Sequence, residues 1–160
     1  MGRIISLPEL KQKVKILKSE GRTIAFTNGC FDIIHPGHLK VIRDAKRGAD
    51  ILVVGINSDS SIKKIKGKTR PIMPESARAH IIASIEGVDF VTIFKEKTPL
   101  KLIKAIKPNI LVKGSDWNNS NIVGSNIVRK YGGKIKIVKL LGSFSTTNII
   151  RSVLKKHGCK

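Results

Sequence analysis

The chain is 160 residues long and carries 31 Lys plus Arg against 11 Asp plus Glu, a net charge of +20. Roughly 100–200 residues is the usual size of one domain, and a 41% hydrophobic content rich in Ile, Leu and Val excludes a disordered basic tail. The charge favours anionic partners such as nucleic acid, acidic lipid or phosphorylated small molecules, while 4% aromatic residues leave little for stacking single-stranded bases.

In chain order, Ser6-Leu7-Pro8-Glu9 has the form of a capping box, and Leu10, Val14, Ile16 and Leu17 continue it as a short amphipathic helix ending near Gly21. Residues 1–21 are therefore expected to be a helical extension in front of a single domain over residues 22–160. Short β-branched runs follow at residues 23–27, 51–56, 90–94, 110–112 and 135–141, each reading as a strand buried on both faces. Between and after them, residues 36–47, 74–86, 99–106, 122–130 and 147–156 have helical spacing of apolar residues. Three of these begin at or beside proline, and Gly48, Gly87 and Gly132-Gly133 close three. Strands alternating with helices imply right-handed crossovers, so the expectation is a doubly wound α/β fold: a five-stranded parallel sheet with helices on both faces and ligands at the carboxyl ends of its strands.

Cys30 and Cys159 cannot make a disulfide framework, and no Cys/His cluster has zinc spacing, so a reducing compartment and no protein-held metal are expected. Nowhere do about 18 apolar residues run together, and the first residues lack a signal-peptide core. A cytoplasmic location and no membrane partner follow as expectations.

The end of the first long strand reads Thr27-Asn28-Gly29-Cys30-Phe31-Asp32-Ile33-Ile34-His35-Pro36-Gly37-His38. His35 just before a helix and His38 in its first turn put two imidazoles on one side of unpaired backbone N–H groups. A helix N-terminus already favours phosphate, two imidazole donors there would stabilise charge growing on an attacked α-phosphate, and Gly37 would leave room for a ligand to approach. On spacing alone, a surface coincidence or a metal pair remains open for these histidines. The second of these has no third His or acidic cluster behind it.

This segment resembles the HxGH signature of the cytidylyltransferase-like nucleotidyltransferases, whose fold is Rossmann-like. A second block, Phe144-Ser145-Thr146-Thr147-Asn148-Ile149-Ile150-Arg151, is similar to the family's Ser-Thr-Thr helix start. Within that superfamily, Asn57-Ser58-Asp59, Lys64 to Lys66-Gly67, Thr69-Arg70-Pro71-Ile72, Pro74, Arg78, Thr98-Pro99 and Leu111-Val112-Lys113-Gly114-Ser115-Asp116-Trp117 resemble the adenylyltransferase domains of ADP-heptose synthases. The resemblance implies transfer of AMP from ATP, with Mg²⁺, to D-glycero-β-D-manno-heptose 1-phosphate, giving ADP-heptose and pyrophosphate, by a homodimer. The domain would stand alone, without the sugar kinase that many bacteria fuse to it.

Residue by residue, the resemblance implies that His35, His38 and Lys66 are catalytic. Asn28, Gly29, Cys30, Phe31, Gly37, Asp116, Ser145, Thr146 and Thr147 would bind the nucleotide. Asp32, Lys64 and Arg78 would lie on the acceptor side, Asp32 bracing its loop rather than acting as a base. Lys64 and Lys66 fall in the run of residues 63–68, which by pattern is a charged loop. A cytidylyltransferase using CTP and glycerol 3-phosphate is the alternative enzyme, although Leu140 and Glu86 stand where that relative carries arginines. The non-enzyme alternative, a basic nucleic-acid-binding module, rests on charge alone, because no helix-turn-helix, zinc-finger or aromatic-sheet motif is visible.

Overall fold

A computed structural model describes residues 1–115, 122–140 and 144–158. Arg3–Ile4 forms a short strand (β1), and Leu7–Ser19 the first helix (α1), opened by the capping box, in which the Glu9 N–H donates to Ser6 Oγ and the Ser6 N–H to the Glu9 carboxylate. There follow Ile24–Gly29 (β2), Pro36–Lys46 (α2), Ile51–Asn57 (β3), Asp59–Lys66 (α3), Glu75–Ala83 (α4), Phe90–Phe94 (β4), Leu100–Ile106 (α5), Ile110–Gly114 (β5), Ser125–Lys130 (α6), Lys134–Val138 (β6) and Thr146–His157 (α7).

The strands pair in parallel in the order β1-β4-β3-β2-β5-β6, six strands rather than the five expected. The sixth is β1, whose two exposed residues are too few to show any alternation in sequence. Its placement is tertiary: the Gly2 N–H donates to the Ala83 carbonyl at 2.7 Å, and a Cβ on Gly2 would lie 2.6 Å from the Val88 carbonyl oxygen. A second difference is α3, because Lys63, Lys64 and Lys66 stand on the last turn of a helix and not on a loop. Ser58 caps that helix by accepting from the Ser61 N–H, and Asp59 in its first turn and cations in its last suit the helix dipole.

Alternation along the strands divides the core in two. Leu52, Val54 and Ile56 of β3 meet Ile42 and Ala45 of α2 and Ala79 and Ile82 of α4 on one face. Val53, with Ile24 and Phe26 of β2, meets Leu10 of α1, Leu102 and Ile103 of α5 and Val128 of α6 on the other. Each large apolar side chain buried in this way stabilises the fold by roughly 1.5–3 kcal/mol. The chain lays down β2, β3 and β4 in one direction and then returns to place β5 on the other side of β2. This switch opens a crevice outside the carboxyl ends of β2 and β5.

Candidate active site

A cavity of about 440 Å³ occupies that crevice. Asn28 and Gly29 at the end of β2, Cys30 and Phe31 after it, His35, Gly37 and His38 at the start of α2, Lys66 at the end of α3 and Ser145, Thr146 and Thr147 at the start of α7 all line it. Two sequence blocks more than a hundred residues apart thus form one wall.

The turn out of β2 is strained. Phe31 has a φ of 46°, a left-handed conformation that costs a non-glycine residue about 1–3 kcal/mol. Its ring is buried, at 3% exposure, and lies 5.1 Å from the His38 ring, while a Cβ on Gly29 would come within 3.2 Å of it. The strained turn leads the chain from the sheet into α2.

His35 is the N-cap of α2 and makes no side-chain capping bond; its ring stacks on His38 with centroids 3.7 Å apart and planes 26° apart. A Cβ on Gly37 would stand 3.1 Å from the His35 ring, so the space that Gly37 was expected to leave for a ligand holds the His35 imidazole. Nδ1 of His38 is buried and has no hydrogen-bond partner among the described residues. Burial, and then the neighbouring His35, push the His38 pKa down to about 4. At neutral pH His38 is therefore an uncharged ring with one N–H to donate.

The cationic lining consists of Lys66, Arg70, Lys97 and Lys113, and no carboxylate lines the cavity among the described residues. Arg70 and Lys113 stand in the motif blocks without a role assigned to them, and Lys97 was not singled out in the sequence. Lys113 had a signal: a lysine inside the apolar run of β5 is unusual, and at 7% exposure it donates to the Asn28 carbonyl at 3.3 Å and to the Asn28 side-chain oxygen.

Three residues expected against the acceptor lie off the wall. Asp32, at 1% exposure, accepts from Arg70 Nε at 2.7 Å and from the Ile72 and Met73 N–H groups at 2.9 Å each. Burial pushes its pKa up, but the N–H groups of Met73 and Ile72 and the Arg70 guanidinium outweigh that and hold it below the ordinary carboxylate value. Arg78 is fully buried and donates to the Met73 carbonyl at 3.0 Å, the Cys30 carbonyl at 2.6 Å and the Asp59 carboxylate at 2.7 Å. The Asp32 carboxylate is saturated and the buried Arg78 guanidinium bonds through all three of its nitrogens to protein acceptors, so the two brace the turn and, through Asp32, Arg70. Lys64 is exposed on α3 and does not reach the cavity.

Among the hydroxyls, Ser145 caps α7 by accepting from the Asn148 N–H at 3.1 Å, and Thr146 Oγ1 donates to the Ile33 carbonyl at 3.4 Å, tying α7 to the turn before α2. Burial pushes the Cys30 thiol up, opposed by Lys66, Arg78 and Arg70. Asp116 and Trp117 lie outside the described residues.

A parallel sheet with a cation-lined cavity at its switch point, where two helices present their N-termini, is built to hold a polyphosphate. The chain belongs to the cytidylyltransferase-like family, whose model matches residues 26–153. It is 44% identical over 157 residues to the bifunctional protein HldE of Geobacter metallireducens, covering 98% of this chain and 32% of the relative. It is 47% identical over 140 residues to HldE of Pelobacter propionicus, covering 88% of this chain and 29% of the relative. The chain thus spans about a third of the length of these curated relatives. Among solved structures, a lipopolysaccharide core biosynthesis protein from Thermoplasma volcanium superposes with a TM-score of 0.63 at 29% identity, covering 78% of this chain and all of that one. Pantoate-beta-alanine ligase from Francisella tularensis, complexed with beta-gamma ATP and beta-alanine, gives a TM-score of 0.67 at 19% identity over 95% of this chain and 77% of that one, a likeness of fold.

Proposed function

We propose that the protein transfers AMP from ATP to a sugar 1-phosphate, D-glycero-β-D-manno-heptose 1-phosphate, forming ADP-heptose and pyrophosphate. The observation that carries this reading is the stacked His35–His38 pair at the α2 N-terminus, facing a cavity lined by four cations and, among the described residues, no carboxylate. The similarity to HldE proteins and the motifs shared with adenylyltransferase domains supply the choice of nucleotide and acceptor.

In the step proposed, an oxygen of the sugar phosphate attacks the α-phosphorus in line. The new P–O bond forms as the bond to the bridging α–β oxygen breaks, and that oxygen leaves on pyrophosphate with the electron pair. No group on the protein is acylated or phosphorylated, so the work is positioning and neutralisation of charge. His38 and His35 donate to the phosphates, and an arriving polyanion favours protonation of the ring that burial otherwise holds neutral. Lys66 balances charge developing on pyrophosphate, and the α7 N-terminus with Thr146 and Thr147 holds the far end of the chain of phosphates. Asn28, Gly29, Cys30 and Phe31 present the β2 end and its turn to the nucleotide.

Among the described residues no group of three His, Cys, Asp or Glu could cage a metal ion. Mg²⁺ is accordingly assigned to the substrate, carried on oxygens of the triphosphate.

The test is pyrophosphate release with ATP or CTP against heptose 1-phosphate and glycerol 3-phosphate. ATP with heptose 1-phosphate is expected to turn over fastest. A CTP preference moves the reading to a cytidylyltransferase, and no turnover with any pair overturns it.

A further inference from the structure

Helix α7 contains no buried residue. At 100° per residue, Ile149, Ile150, Val153 and Leu154 fall within an arc of about 140°, and Arg151, Lys155 and Lys156 fall outside it. The domain half covers Ile149 and Ile150, whereas Val153 is 53% and Leu154 63% exposed. A helix of this length is marginal in water when its apolar stripe is not packed. The uncovered half of the stripe therefore calls for a partner.

Charge narrows what that partner is. Residues 97–160 contain 14 Lys and Arg and a single acid, Asp116, whereas residues 1–96 contain 17 against ten. From Phe144 to Gly158 there is no carboxylate at all. A second copy would bring the same charge of +20 against the same basic helix. A nucleic acid would engage the cations and leave the apolar stripe in water. An anionic bilayer surface takes both: apolar side chains enter the boundary between headgroups and acyl chains, and the cations that flank the stripe, Lys156 on one side and Arg151 on the other, reach the acidic headgroups.

We propose that α7 docks the protein on an anionic lipid surface through its last turns, with Val153 and Leu154 inserted and the flanking Arg151 and Lys156 on acidic headgroups. The sequence-based expectation of no membrane partner came from seeking a spanning segment, and none of the described helices is long and apolar enough to span. A surface-lying helix needs no such length. The inference is independent of the nucleotide chemistry, since binding to lipid is read without substrate.

The experiment sediments the protein with vesicles of phosphatidylcholine alone or with roughly one-third phosphatidylglycerol, at about 0.15 M and about 1 M salt. The protein is expected to partition into the anionic vesicles at the lower salt and to leave them at the higher. Val153→Asp with Leu154→Asp is expected to lower that partition by about tenfold or more, and Arg151→Glu with Lys156→Glu to do likewise. Far-UV circular dichroism and the urea-unfolding midpoint of both variants should match the parent protein and certify the fold. Partition that is absent, equal for neutral and anionic vesicles, or unaltered by Val153→Asp with Leu154→Asp overturns the proposal. So does a dimer in sedimentation velocity that those two substitutions dissociate while vesicles go unbound, which would assign the stripe to a second copy.

Discussion

Among the described residues the two ends of the sheet carry cavities of similar size and similar charge, and they differ in which ends of the helices face them. At the amino ends of β2, β5 and β6 a cavity of about 390 Å³ is lined by Lys18, Lys107 and Lys134 together with Asn109 and Tyr131. Helices α1, α5 and α6 all finish there, so the lysines face carbonyl groups at the negative ends of helices. Lys18 donates to the Lys107 carbonyl, and burial, then the Lys107 charge, push its pKa down. Tyr131 donates to the Pro108 carbonyl at 3.2 Å, and burial pushes its hydroxyl up to about 12. At the carboxyl ends, α2 and α7 begin instead, and the same kind of lysine faces imidazoles, hydroxyls and the positive ends of helices. A count of cations does not distinguish the two ends; the direction of the helices does.

The sharpest way to break this contrast is at the histidines. His35→Ala or His38→Ala is expected to lower the rate of pyrophosphate release by roughly 10²–10⁴ with circular dichroism unchanged. A loss below about tenfold would remove the pair from the chemistry. Next in size is the bracing behind the wall. Arg78→Met leaves the Asp59 carboxylate and two carbonyls without their donor, and urea unfolding should register a loss of about 3 kcal/mol, the low end for a broken buried pair because Asp59 is partly exposed. An unchanged midpoint would show that the turn stands without it.

A matched pair of lysine deletions then compares the ends directly. Lys66→Ala should lower kcat/KM by about ten- to a hundredfold, and Lys18→Ala by no more than about twofold. Equal losses would erase the distinction.

The smallest effect concerns protons. With a folded pKa of about 4 against an ordinary value near 6.5, His38 binds its proton more weakly in the folded protein than in the unfolded chain. Its contribution to stability is complete above about pH 6.5 and declines as pH falls from there toward 4, since the unfolded state takes up more protons over that range. NMR titration of the ligand-free protein should put the His38 midpoint near 4. His38→Ala should flatten stability against pH across the same window, and a midpoint near 6.5 would mean that the ring is hydrated rather than buried.

Much of this was legible beforehand for a specific reason. The five longer strands and most helices announce themselves through local patterns: β-branched runs, Pro at helix starts, Gly beyond helix ends. Strand β1 has two residues and no pattern, and its pairing depends on how closely Gly2 meets Val88. The start of α3 was readable in Ser58 and Asp59, but the lysines after them look the same on a loop as on a last helical turn. At the site, His35 and His38 could be named because they sit where a strand hands over to a helix, and the Ser-Thr-Thr block because it resembles the family's helix start. Asp32 could be read as a brace for its loop, but Arg78 could not be sorted, since a buried brace and a substrate clamp use the same side chain and differ only in what surrounds it.

The sequence by itself determined the alternation of strand and helix, the parallel sheet that this alternation requires, and two helix starts of the kind that favours anions. Those features arise from local spacing and from the chirality of the chain. Only the tertiary structure decided that His35 stacks on His38, that Lys113 reaches across to Asn28, that Arg78 is consumed within the fold, and which of two lysine-lined cavities faces helix N-termini. Each depends on distance and burial between segments far apart in the chain, and neither quantity is written in the order of residues.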